Sequence, residues 1–270
     1  MKRYMRRFQI LTLMVILVAS HACNALDLDR DLALSISQNA IGQQLDNYQL
    51  LNTEGAIINI ADYRGKPLIV SLIYTHCHDV CPITTEHLAD VVSQARGALG
   101  ADSFNVVSIG FDVSRDTPIM MRRFRDTQQV RDENWQFLSS DADTMQRLSR
   151  QLGFFYQPSS GGFDHQVQAS LISPEGKVTR QIYGMDFPPP LLVEPLKRLI
   201  FSLDNNPAFL KSVSNQIRLF SIVYDPYKNI YHFDYSIFIK FSMGLCYMSV
   251  IGIFLFREWR KTNRNRKRTA

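Results

Sequence analysis

Between residues 47 and 203, short continuous apolar runs alternate with stretches whose apolar positions recur at helical spacing. Residues 48–51 and 56–60 flank Thr53-Glu54-Gly55, which predicts a hairpin. Leu68-Ile-Val-Ser-Leu-Ile-Tyr74 is apolar at nearly every position, as expected of a strand buried on both faces. Pro82 can open a helix whose apolar face carries Leu88, Val91, Val92, Ala95 and Leu99. A second buried strand is predicted over residues 104–111. Thr117 and Pro118 supply a cap and a first-turn proline for another helix. Residues 135–138 read as a short strand, and 141–152 as a helix closed by Gly153. Residues 169–173 and 177–183 form a hairpin around Pro174-Glu175-Gly176, and 188–203 supply a last helix. Strands alternating with helices, then a terminal hairpin and helix, predict an α/β sandwich with a mixed central sheet flanked by helices.

The hydropathy of the two ends departs from this pattern. Lys2, Arg3, Arg6 and Arg7 precede an apolar run over residues 10–19 and then Ser20-His21-Ala22-Cys23. A basic start, a short apolar core and small residues describe a secretory signal peptide over residues 1–25, cut after Ala22 or Ala25. Ser20 and His21 fit a lipoprotein signal poorly, so ordinary cleavage is preferred to a lipidated Cys23. At the other end, residues 241–256 carry no formal charge. Residues 235–256 as a helix would extend about 33 Å at about 1.5 Å per residue, enough to span a bilayer. Lys240 lies near one end of that span, where its stem can reach the interface. Arg257, Arg260, Lys261, Arg264, Arg266, Lys267 and Arg268 follow, and such a basic flank stays in the cytoplasm. Both ends predict one topology: an exported domain over residues 40–203, a juxtamembrane connector over 204–234, a transmembrane helix over 235–256 and a basic cytoplasmic tail over 257–270.

Charge now takes on a different meaning. The 270-residue chain has a formal net charge of +5, but residues 1–7 contribute +4 and the tail from Arg257 contributes +6. The segment between them therefore carries −5. The basic character belongs to targeting and topology, and it gives no support to nucleic-acid binding.

Of the four cysteines, Cys23 lies in the export region, and Cys246 lies in the apolar helix, where burial as a small hydrophobe is the expectation. Only Cys77 and Cys81 belong to the exported domain, in the stretch Tyr74-Thr75-His76-Cys77-His78-Asp79-Val80-Cys81-Pro82. Positions i and i+4 share a helix face, and a helix start favours negative charge, so at least one thiol should have a lowered pKa. That chemistry serves redox exchange and metal binding alike, and a third ligand would separate them. His76 and His78 flank Cys77, His87 lies further along the same helix, and His232 lies just ahead of the membrane segment. His165 sits in Ser159-Ser-Gly-Gly-Phe-Asp164-His165-Gln166, read as a mobile loop ahead of the terminal hairpin. On its own, a loop histidine is more often an exposed or capping residue than a ligand. Two thiolates and an imidazole would suit Cu(I) and also serve Cu(II), with zinc possible on ligand type. Met120 and Met121 lie in a predicted helix and add no copper-binding cluster.

Three markers, in order, make the chain resemble the SCO/SenC family, the synthesis-of-cytochrome-c-oxidase proteins. They are Tyr74-Thr75-His76-Cys77 with Asp79-Val80-Cys81-Pro82, then Arg115-Asp116-Thr117-Pro118 after Phe111-Asp112, then Asp164-His165 ahead of Leu171-Ile-Ser-Pro-Glu-Gly176. The resemblance implies a thioredoxin-like fold anchored in a membrane, here the bacterial inner membrane with the domain facing the periplasm. It implies copper held by Cys77, Cys81 and His165, and a role as a metallochaperone for the binuclear copper A centre of cytochrome c oxidase. Its implied partners are a copper donor and the copper-bearing oxidase subunit or another recipient. The alternative is a thiol–disulfide oxidoreductase that keeps envelope cysteines reduced, with Cys77 exchanging and Cys81 resolving. A peroxiredoxin-like peroxidase shares the scaffold but draws little support from this pattern. The chain departs from the family in having His78 where proline is common, Gln166 where serine is common, and a C-terminal anchor. Asp79, Asp112 and Asp116 are read as capping and turn residues.

Overall fold

The computed structural model describes residues 30–77, 80–159, 162–203, 222–226 and 230–266. The signal-peptide assignment with Cys23, the residues His78 and Asp79, connector residues 204–221 and 227–229, and tail residues 267–270 lie outside the described residues. The chain divides into one unit up to Asn205 and a second from Asn206.

The first unit is the sandwich that the hydrophobic pattern predicts. After helix α1 (residues 30–39) come β1 (Gln49–Leu51) and β2 (Ile57–Asn59), an antiparallel hairpin at the expected place. There follow β3 (Leu68–Ile73), α2 (Val80–Leu99), β4 (Asn105–Gly110), α3 (Pro118–Thr127), β5 (Trp135–Leu138) and α4 (Ala142–Leu152). The unit closes with β6 (Tyr156–Ser159), β7 (Gly162–His165), β8 (Gln168–Ile172), β9 (Val178–Tyr183) and α5 (Pro190–Leu203). The main sheet has five strands in the order β5-β4-β3-β8-β9. Strands β3, β4 and β5 run parallel, while β8 and β9 run antiparallel to their neighbours. Every residue of β3 is buried, because this strand is central and covered on both faces.

The local signals act through recognisable chemistry. Thr117 caps α3 by accepting from the Met120 amide, with Pro118 in the first turn. Asp141 caps α4 by accepting from the Thr144 amide, and Gly153 ends that helix in the left-handed conformation at φ 63°. A buried polar network fastens α1 to the sheet. Ser37 donates to Gln168 at 2.9 Å, the Tyr183 hydroxyl donates to Ser37 at 2.9 Å, and Ser170 donates to Gln181 at 2.6 Å. Each of these groups is partnered, so their burial carries little of the usual penalty.

Three elements depart from the sequence reading. His165 lies on a strand rather than a mobile loop, because Tyr156 to Ser159 pairs antiparallel with Gly162 to His165. Ser159 and Gly162 are themselves a paired strand position, and Tyr156 and Phe163 supply strand-forming side chains. In the second unit, the connector contains a hairpin, β10 (Ile222–Asp225) with β11 (Ile230–Phe233), whose Tyr224 and Tyr231 pair across the strands. His232 lies on β11. The third departure is that helix α6 runs over Ser236–Arg266 rather than ending at Phe256. The expected end followed hydropathy alone, whereas arginine and lysine are good helix formers and continue the helix. Residues Phe238–Arg257 of α6 form 20 residues long and apolar enough to cross a membrane. Cys246 lies within this stretch, on a helix surface that no described residue covers.

Gly153 is the position where the fold demands glycine most strictly. An added Cβ would stand 2.7 Å from Ala40 Cβ and 2.7 Å from the Ile36 carbonyl, in a backbone conformation at φ +63° that side chains rarely adopt. Gly153→Ala is expected to destabilise the protein by about 2–3 kcal/mol, read as a lowered denaturation midpoint of the detergent-solubilised chain.

Candidate functional site

The candidate site lies where β3 and β4 end and α2 begins, at the carboxyl edge of the parallel strands. The Phe111 amide still donates to the Ile73 carbonyl at 2.9 Å, after which the two chains separate. The β3 chain turns at once, with the Cys77 amide donating to the Tyr74 carbonyl at 3.2 Å. Cys81 lies in the first turn of α2, and its amide donates to the Cys77 sulfur at 3.2 Å. That amide is one of the donors a helix leaves without an internal partner, so the Cys77 sulfur completes the helix start. Both cysteines are buried thiols. The Cys81 thiol is pushed well above the usual range, first by its hydrogen bond with Cys77 and then by burial. The helix-start donor goes to the Cys77 sulfur, and at Cys81 the neighbouring sulfur and burial act the other way.

A buried carboxylate holds this turn in place. Asp116, only 1% exposed, accepts from the Thr75 amide at 2.8 Å, the Thr75 hydroxyl at 2.7 Å and the Asp112 amide at 2.9 Å. Burial raises its pKa, and these donors work against that rise. The close approach requires Gly110: an added Cβ there would lie 2.4 Å from Asp116 Cβ and 2.9 Å from the Met121 sulfur. Read from sequence as a turn residue, Asp116 in fact ties the β4–α3 turn to the cysteine turn. Its place in Arg115-Asp116-Thr117-Pro118 marked the segment, but nothing local marked a partner 41 positions away.

His165 ends β7, opposite Tyr156. Its ring sits in an aromatic cluster, with centroids 5.8 Å from Tyr74, 5.4 Å from Phe111 and 5.8 Å from Phe154. Its Nδ1 lies 3.2 Å from the Gln166 carbonyl, so an Nδ1–H donating there leaves Nε2 with a free lone pair. The ring of Tyr74 stands edge-on to His165 at 90°, and Tyr74 lies three residues before Cys77. Burial first, then Cys77, pushes the Tyr74 pKa up to about 12. A cavity of about 660 Å³ opens beside these groups, with Arg30, Leu34, Tyr74, Val80 and His165 in its wall.

Among the described residues, no three His, Cys, Asp or Glu side chains converge closely enough to hold a metal ion. Cys77 and Cys81 meet each other, while His165 meets Tyr74. Two other described histidines of this unit have contacts of their own. His76 is exposed and lies 3.4 Å from the Thr75 hydroxyl, while His87 contacts the Phe187 carbonyl at 2.8 Å through Nε2. Tyr74 went unremarked in the sequence, although its place three residues before Cys77 was visible.

The family model described as SCO1/SenC matches residues 37–200. The bovine mitochondrial SCO2 homolog is 29% identical over 153 residues, which cover 54% of this chain and 55% of the bovine protein. The chain thus spans about half the length of that relative. Among solved structures, BsSco, described as a member of the Sco family of cytochrome c oxidase assembly proteins with a disulfide switch, aligns at TM-score 0.53 and 19% identity. That alignment covers 59% of this chain and 94% of BsSco. Arabidopsis thaliana ScoI, crystallised with copper bound, aligns at TM-score 0.52 and 21% identity, over 60% of this chain and 99% of its own. These structural likenesses establish the fold, which is thioredoxin-like.

The Asp116 bracket has a direct test. Asparagine keeps the shape but its amide nitrogen cannot accept, so Asp116→Asn leaves at least one of the three donors without its acceptor. We expect a loss of about 1–3 kcal/mol in denaturant unfolding, together with faster hydrogen exchange at the Thr75 amide.

Proposed function

The chain belongs to the SCO1/SenC family, and we propose on that premise that it is a membrane-anchored copper carrier for assembly of the binuclear copper A centre of cytochrome c oxidase. Copper is the cargo. Cys77 and Cys81 bind it through sulfur and His165 completes the set through nitrogen. The observation that carries this reading is the buried dithiol at the α2 start, sulfur against helix amide, with the ring of nearby Tyr74 packed edge-on to His165. Two sulfurs and an imidazole are the donors that suit Cu(I) and can also serve Cu(II). The free Nε2 of His165 is the nitrogen for this purpose.

Loading needs the β6–β7 hairpin to move, because the three groups do not converge in the described structure. The copper-bound Arabidopsis protein and the assembly role of the Sco family, in the description of BsSco, support this reading by analogy of fold. Copper comes from a donor and passes to the copper-bearing oxidase subunit or another recipient. The 204–234 segment connects the domain, residues 40–203, to a membrane helix within α6. The signal peptide exports the domain, and the basic flank keeps the C-terminus in the cytoplasm.

A second reading has its own observation. The Cys81 amide donates to the Cys77 sulfur, so the two side chains already lie side by side, as a dithiol poised to form a disulfide must. The pair would then reduce envelope cysteines of oxidase subunits, with Cys77 exchanging and Cys81 resolving. Oxidation also withdraws both sulfurs from copper, so one pair can serve both roles.

Titration of the reduced full-length chain in detergent with Cu(I), against a chromophoric competitor, separates the readings. Tight binding of one copper per chain is expected. Cys77→Ser, Cys81→Ser or His165→Ala should weaken it by on the order of 100-fold, the upper end of what loss of even an outer-shell partner costs. A reductase alone would keep its disulfide exchange in His165→Ala and bind no stoichiometric copper. Topology is tested with C-terminal reporter fusions. A fusion to a fluorescent protein that folds in the cytoplasm should glow, and one to a phosphatase that needs the periplasm should be inactive.

A further inference from the structure

Helix α3 presents two different faces. Met121 and Phe124 are buried, Phe124 against Phe137 of β5. Ile119, Arg122, Arg123 and Asp126, spaced at i, i+3, i+4 and i+7, are all exposed and share the outer face. Ile119 is 70% exposed, more than any other large apolar side chain described in the first unit. A depression of about 490 Å³ lies beside it, walled also by Arg122, Arg123, Asp126 and Thr127. Arg123 makes no hydrogen bond or ion pair among the described residues. Arg122 reaches the Thr53 carbonyl and lies 3.8 Å from Glu54, yet its side chain stays 47% exposed. Just ahead of the helix, the Arg115 side chain is 60% exposed and 3.8 Å from Asp112.

We propose that the outer face of α3, with Arg115, Ile119, Arg122 and Arg123, is the surface on which the copper-bearing oxidase subunit docks, through an acidic patch with an apolar centre. The proposal rests on the reading of the chain as a copper carrier and adds the face through which the cargo leaves. A single exposed isoleucine is ordinary, but arginines around it on an acidic domain are not. Residues 40–203 hold 14 Lys and Arg against 18 Asp and Glu, a formal charge of −4, whereas α3 carries +2. An acidic partner is therefore repelled by most of the domain and attracted here, which orients the encounter. Arginine suits the task, because its planar fork pairs with a carboxylate through two hydrogen bonds. The location is also apt. Asp116, two residues before α3, is bonded to Thr75, two residues before Cys77, so a partner seated on α3 stands beside the cysteine turn. An anionic lipid surface offers the same chemistry to arginine, and the experiment below separates the two.

Both Arg123 and Ile119 are exposed, so Arg123→Glu and Ile119→Ser should leave folding and Cu(I) affinity unchanged. The reduced full-length chain, loaded with Cu(I) in nonionic detergent, is mixed with the copper-free form of the same organism's copper-bearing oxidase subunit. Copper transfer is then timed against ionic strength. In the wild type it should slow about tenfold between about 0.01 and about 0.15 M salt, as the Debye length shortens from about 30 to about 8 Å. Arg123→Glu should slow transfer about tenfold at low salt and flatten that dependence. Ile119→Ser should shorten the lifetime of the complex and keep the dependence. Equal transfer by wild type and Arg123→Glu at low salt, or wild-type transfer indifferent to salt, would overturn the docking surface. Hydrogen exchange of the chain in lipid nanodiscs tests the other occupant. Protection of α3 amides in phosphatidylglycerol but not phosphatidylcholine discs, lost in Arg123→Glu while transfer is unaffected, would assign the face to lipid and also overturn the proposal. The carrier reading fails separately, if the wild type takes up no Cu(I). The affinity of the metal-free chain for the copper-free subunit, with and without Arg123→Glu, then still decides the docking surface.

Discussion

The arrangement of the site depends on one buried carboxylate. Strand β3 is locked in register between β4 and β8, but the residues after Ile73 leave the sheet and must still deliver two thiols to a fixed place. Asp116 supplies the constraint by accepting from both the amide and the hydroxyl of Thr75, and from Asp112. A carboxylate at such depth would be costly if unpaired, and its three donors make the position tenable. Gly110 completes the device, since any larger residue would occupy the space that Asp116 needs. From that fixed turn follow the start of α2, the amide that meets the Cys77 sulfur and the burial of Cys81.

Against this rigid half stands a looser one. His165 belongs to a small hairpin that shares no strand with the main sheet and is held largely through aromatic packing around Phe111. A carrier has to bind its cargo firmly and then give it up. Under the proposed ligand set, two donors on the scaffold and one on a separate hairpin meet both needs, because release can begin at His165. The chemistry of the pair is also asymmetric. Cys77 receives the helix amide, whereas burial and the neighbouring sulfur raise the Cys81 thiol above its usual range.

Much of this was legible in the sequence wherever the cause is local. The apolar run of β3, Thr117 with Pro118 and Asp141 with Gly153 each carry their explanation within a few residues, and the structure contains them where expected. The cysteine pair and its place at a strand-to-helix junction were equally clear. What stayed hidden was created by distance along the chain. Asp116 looked like a turn residue because its partner, Thr75, is 41 positions earlier. The hairpin of His165 looked like a loop because its turn residues were visible and the aromatic packing that flattens it into strands was not. The burial that raises the Cys81 thiol was hidden in the same way.

The second unit carries its apolar residues outward on α6, as a helix bound for lipid would. The proposed carrier function requires copper to meet both sulfurs and the imidazole at once. X-ray absorption at the copper edge of the full-length, Cu(I)-loaded chain measures this directly. Two sulfur scatterers and one nitrogen scatterer are predicted, the nitrogen disappearing in His165→Ala. A sulfur-only shell in the wild type, or a nitrogen signal that survives loss of His165, would contradict it.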